Sequence, residues 1–116
     1  MTPREHSSVH RVVQLLFWAA ALFTFVMAVL PHPPQVGNDK LQHMAAFATL
    51  GLLGSLAYRR LSALHLLVGL SLFGAAIEVI QAIPMLHRDS DVLDWVADTA
   101  AAGAVLVVVV LMRRRA

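Results

Sequence analysis

The 116 residues are 59% hydrophobic and 14% charged, where a soluble domain carries about 25% charge, and the mean hydropathy is +0.71. This composition excludes a disordered chain, a collagen-like chain and an ordinary small soluble fold. The absence of cysteine excludes a disulfide framework, thiolate zinc sites, iron–sulfur clusters and thiol nucleophiles. The net charge of +2 does not point to nucleic acid, because the nine basic residues sit at the ends of apolar runs rather than along one face.

Four apolar runs follow one another. The first, 12–30, is interrupted by Gln14 and Thr24 but by no charge, and stops at Pro31-His32-Pro33-Pro34, which no helix continues through. Arg4 and Arg11 precede it, as in a signal peptide. Its apolar stretch exceeds the ~7–15 residues usual there and no small-x-small cleavage site follows, so it reads as an uncleaved span. The second run, 41–57, is the shortest, opens with Gln42 and His43, and leaves room for a start at Asp39. The third, 61–83, carries His65, Glu78 and Gln81; the fourth, 92–112, carries Asp94 and Asp98 near its start. About 20 helical residues cross the ~30 Å hydrocarbon layer. The reading is therefore an all-α polytopic membrane protein, a four-transmembrane-helix bundle forming a single domain over 1–116.

Lys and Arg set the orientation. With the N-terminus inside, Arg4, Arg11, Arg59, Arg60, Arg113, Arg114 and Arg115 fall on one side and only Lys40 and Arg88 on the other, so both termini are expected in the cytoplasm. Tyr58 and Trp95 then fall near opposite interfaces. The acids divide the other way. Glu5 lies inside, whereas Asp39, Glu78, Asp89, Asp91, Asp94 and Asp98 lie at the outer end with His43, Gln81 and His87.

Within that outer cluster, Asn38 or Asp39 can cap the second span. Lys40 and His43 share a helical face, as do Glu78 and Gln81, each pair three residues apart. A carboxylate at Glu78 is costly unless it faces the bundle and finds a cation or a proton, with Lys40 and Arg88 as structural partners in the plainest reading. Asp94 and Asp98 stack one turn apart. The helix dipole accounts for Asp89 and Asp91 better than for Asp98, because its benefit fades after the first turn. A metal site would need ligands from three elements and no His-x-x-x-His or Glu-x-x-His pair appears, so no metal and no other cofactor is expected. Ser90 lacks the Gly-x-Ser-x-Gly setting of a nucleophile. Gly51-x-x-x-Ser55, Ser71-x-x-x-Ala75 and Ala97-x-x-x-Ala101, with Gly54, Gly69, Gly74 and Gly103, predict close helix approach. His65 reads as structural. Arg113-Arg114-Arg115 reads as a topological stop in contact with anionic lipid.

Asp39-Lys40-Leu41-Gln42-His43, then Glu78-Val79-Ile80-Gln81, Arg88, and Asp94 followed by Asp98 resemble the VanZ-like family in order and approximate spacing over 38–103. The family usually has Asn where Asp98 stands and commonly Gly where Ala101 stands. The resemblance implies a bacterial cell-envelope protein, multi-pass in the inner membrane; the founding member is associated with resistance to teicoplanin. The expected function is a site at the extracytoplasmic face that binds or processes an anionic lipid-linked or cell-wall-related molecule. The candidate catalytic residues are Glu78 as acid or base, His43 as a second proton-transfer group and Asp94. Lys40 and Arg88 would hold the anionic group, with Gln81, Asp39 and Asp98 completing the ligand-binding set. The alternative is a non-catalytic structural or partner-binding protein whose polar cluster is an internal ion-pair network. Expected partners are membrane lipids and that anionic ligand, without nucleic acid.

Overall fold

The computed structural model describes residues 2–30, 39–86 and 91–115, apart from the side chains of Asp39 and Leu86. These form four α-helices, α1 (Pro3–Val29), α2 (Asp39–Ala57), α3 (Ala63–Gln81) and α4 (Val92–Arg115), with a 3-10 turn at Pro84–Leu86.

Local sequence explains where the helices depart from the apolar runs. α1 starts at Pro3, well ahead of residue 12, because Thr2 and Glu5 make a capping box. Thr2 Oγ1 accepts the Glu5 N–H at 3.2 Å, Glu5 Oε2 accepts the Thr2 N–H at 2.9 Å, and Pro3 sits where no N–H is needed. α3 starts after Ser62, whose Oγ accepts the His65 N–H at 3.2 Å. It ends at Gln81, not 83, so Glu78 lies about one turn from the helix end. α4 carries all three terminal arginines into its last turn, where positive charge complements the helix dipole.

Side-chain contacts fix the helix directions. The Gln81 side-chain amide donates to the Ala28 carbonyl at 2.9 Å, joining the last turns of α1 and α3. Lys40 meets Asp94 at 3.4 Å, joining the first turns of α2 and α4, and Arg113 donates to the Ser55 carbonyl at 2.6 Å near their other ends. These make α1 parallel to α3 and α2 parallel to α4; the Asp91 N–H at Glu78 and Thr99 beside Ser71 run α3 against α4, so the bundle goes up-down-up-down. Arg113 ties α4 to α2, a packing role beyond the lipid contact expected of the terminal arginines.

α2 is the central helix, packed most extensively against α4 and α1. Its Phe47 and Leu50 are fully buried in a core shared with Phe17, Leu70, Ile77 and Ala102. Small residues admit this closeness. A Cβ on Gly51 would stand 3.3 Å from the Ala102 carbonyl oxygen, and one on Gly54 would stand 3.1 Å from the Phe17 ring. Gly69 differs from the expectation of close approach. A Cβ there meets nothing within 4 Å, because the residue lines an open groove between α1 and α3.

α1, α3 and α4 are each long and apolar enough to cross a membrane. They expose Leu22, Phe23, Leu72, Val79 and Leu111 on the outside of the bundle, where water would penalise them. α2, at 19 residues, is long enough too, but Asp39, Lys40, Gln42 and His43 make its first turns polar. The long dimension of the molecule, 51 Å, exceeds the ~40–45 Å of a bilayer with its headgroups.

Candidate functional site

The first turns of α2 and α4 and the last turn of α3 meet at one end of the bundle. Lys40, His43, Glu78, Gln81, Asp91, Asp94 and Asp98 all belong to it. Three of these side chains are buried: Glu78, Gln81 and Asp98. His43 and Asp94 are half-buried. Arg88 lies outside the described residues; Asp39 opens α2, and its side chain lies outside them as well.

Asp91 is the N-cap of α4: its Oδ1 accepts the Leu93 N–H at 2.9 Å. In a capping box the residue three positions on would return the favour by accepting the N-cap's own N–H. That residue is Asp94, which is instead 3.4 Å from Lys40. The Asp91 N–H goes to Glu78 Oε2 at 3.0 Å. A glutamate of α3 thus completes the cap of α4, and its negative charge lies at the positive end of that helix. The sequence points Glu78 toward a cation, Lys40 or Arg88, of which Arg88 lies outside the described residues; what sequence spacing does not show is that α2 and α4 start side by side, which brings Lys40 to Asp94.

Gln81 was a candidate ligand-binding residue. Its amide nitrogen donates one N–H to the Ala28 carbonyl, one of the last four carbonyls of α1, which no intrahelical N–H can reach. Trp95, expected as an interface anchor, is half-buried between α3 and α4. Its indole N–H donates to the Ser71 carbonyl at 2.9 Å, and its ring sits where a Cβ on Gly74 would approach to 3.3 Å. A buried indole N–H needs an acceptor, and α3 supplies one. Ser71 Oγ and Thr99 Oγ1, 3.2 Å apart, extend this polar seam one turn further along α4. The sequence shows this seam only in part: Ser71 reads there as a small packing residue, and Thr99 carries no signal of its own.

Among the described residues no group of three or more His, Asp or Glu side chains comes together as a metal ion requires. What the described site offers is a lysine at the rim, 45% exposed, facing a less exposed carboxylate, with a buried carboxylate behind them. Such a set can hold an anionic group through Lys40 and move a proton through a carboxylate.

Among the described residues the fold is all-α, with three helices long and apolar enough to cross a membrane, which suggests a multi-pass membrane protein, and with a polar site at one end of the bundle. No protein-family model matches the chain, and neither does any curated protein or solved structure.

Proposed function

We propose that the chain spans the bacterial inner membrane four times with both termini cytoplasmic, and that its polar end binds or processes an anionic lipid-linked or cell-wall-related molecule at the extracytoplasmic face. The observation that carries this reading is the separation of charge along the bundle. Glu78, Asp91, Asp94 and Asp98 gather at one end, and Arg59, Arg60 and Arg113–Arg115 lie at the other. Arginines mark the cytoplasmic side. In the proposed site Lys40 holds the anionic group and Glu78 and His43 serve as proton carriers; Arg88 enters on sequence alone. The VanZ-like motif residues 39–43, 78–81, 88 and 94 support the envelope setting. α2 is the fourth span, its polar first turns reaching the outer headgroup layer.

A second reading rests on Glu78 itself. A carboxylate whose Oε2 accepts the N-cap N–H of a neighbouring helix already has a structural use, and the Lys40–Asp94 pair beside it joins two helix starts. On this reading the cluster is a scaffold and the protein binds partners without chemistry.

Two measurements test the proposal. The chain has no cysteine, so Met85→Cys and Ser62→Cys each introduce a single thiol, at the turn after α3 and at its N-cap. In intact cells an impermeant maleimide is expected to label position 85 and not position 62; the opposite pattern overturns the topology. Deleting the gene is then expected to change one anionic envelope intermediate in a profile of phospholipids and undecaprenyl-linked species. An unchanged profile favours the scaffold.

A further inference from the structure

The far end of the bundle contains two adjoining cavities that the polar-end site does not use. The first, about 500 Å³, lies between the start of α1 and the α2–α3 turn, and is lined by His6, His10, Arg59 and Arg60. Among the described residues no acid lines it, and the nearby Glu5 is turned to the helix N-terminus, where its Oε2 accepts the Thr2 N–H at 2.9 Å. The second, about 450 Å³, is an apolar groove between α1 and α3 walled by Phe17, Ala21, Leu66, Leu70 and Phe73, with Gly69 on its floor. Tyr58 and Leu61 line both cavities, so the two adjoin at these residues. At this threshold Trp18 donates its indole N–H to the Tyr58 hydroxyl at 2.6 Å, and Tyr58 packs edge-on against Phe17. Paired amphipathic rings of this kind sit at the headgroup level of a bilayer.

We propose that these cavities are one binding site for an anionic phospholipid, with the phosphate between the two arginines and the two histidines and an acyl chain along the groove. Charge complementarity selects the headgroup: Arg59 and Arg60 are cationic, His6 and the ring nitrogen of His10 that does not face the Gln14 amide (Nε2 to Gln14 nitrogen 3.0 Å) can donate, and no carboxylate among the described residues balances them. The groove selects a lipid over a soluble phosphate, because a free phosphate leaves its aromatic and aliphatic wall uncovered. Gly69 fits this use. No side chain stands within 4 Å of where its Cβ would be, and any larger residue fills the groove instead of packing the helices. The sequence carried the signal in His6 and His10, four apart on one face of α1, and in the Arg59-Arg60 pair, which orientation counting absorbs as topology alone. The site is independent of what the polar end does.

The test is native mass spectrometry of the full chain in detergent, with dioleoyl-phosphatidylglycerol, dioleoyl-phosphatidylcholine and glycerol phosphate as separate probes. One phosphatidylglycerol per chain is expected to be retained, at least about tenfold more tightly than phosphatidylcholine, with glycerol phosphate not retained. Arg59→Gln with Arg60→Gln alters two exposed turn residues and is expected to abolish the preference for phosphatidylglycerol. Gly69→Leu is expected to release both lipids while the thermal midpoint holds. Equal retention of the two lipids by the natural chain, glycerol phosphate bound as well as the lipid, or unchanged retention in both variants overturns the proposal.

Discussion

Gly51→Val is expected to destabilise the bundle by about 1–3 kcal/mol, the usual effect of overpacking a well-filled core. The first added carbon already stands 3.3 Å from the Ala102 carbonyl oxygen and 3.6 Å from the Ala102 Cα, and these are backbone atoms that cannot rotate aside. The branches of valine go further, so α2 and α4 have to separate. That separation loosens the central helix contact and the Lys40–Asp94 and Arg113–Ser55 links at its two ends. Gly69→Val is the control. It meets nothing within 4 Å and is expected to change stability by less than about 0.5 kcal/mol. Thermal or denaturant unfolding in detergent reads the difference, and equal effects at the two glycines refute the close α2–α4 approach.

Glu78→Gln is expected to accumulate in the membrane at the natural level and to fail to restore the envelope property that deletion removes. The glutamine carbonyl still accepts the Asp91 N–H, so the cap of α4 survives, while the charge and the titratable proton are gone. Glu78→Ala separates the two roles. It removes the acceptor as well, and is expected to lose about 1–3 kcal/mol of stability, because a group 9% exposed gives up a charge-assisted hydrogen bond and the space it filled. Full complementation by Glu78→Gln, together with loss of protein in Glu78→Ala, assigns Glu78 to the scaffold and removes the acid–base role.

The class of the protein was legible in its sequence. Long apolar runs with few charges make helices that expose Leu and Phe outward, and three of the four runs become helices apolar enough to cross a bilayer. Prolines and capping residues bound these helices locally; the Thr2-Pro3-Arg4-Glu5 box that lengthens α1 stood in the sequence as well, a local pattern that an apolar count passes over. Acids at one end and arginines at the other also followed from position along antiparallel helices. Partner choice did not follow, because it depends on which helices start side by side. Lys40 and Asp94 are neighbours because α2 and α4 run parallel in contact, and Glu78 caps α4 because α3 ends beside Asp91. Gln81 closes the end of α1 because α1 leaves a carbonyl there that its own backbone cannot satisfy. The groove beside Gly69 lies between α1 and α3, with nothing within 4 Å of its Cβ position, whereas at Gly51 the Ala102 backbone of α4 comes within 3.3 Å. A glycine in the sequence permits close approach; only the packing of the helices decides whether a neighbour comes to fill the space.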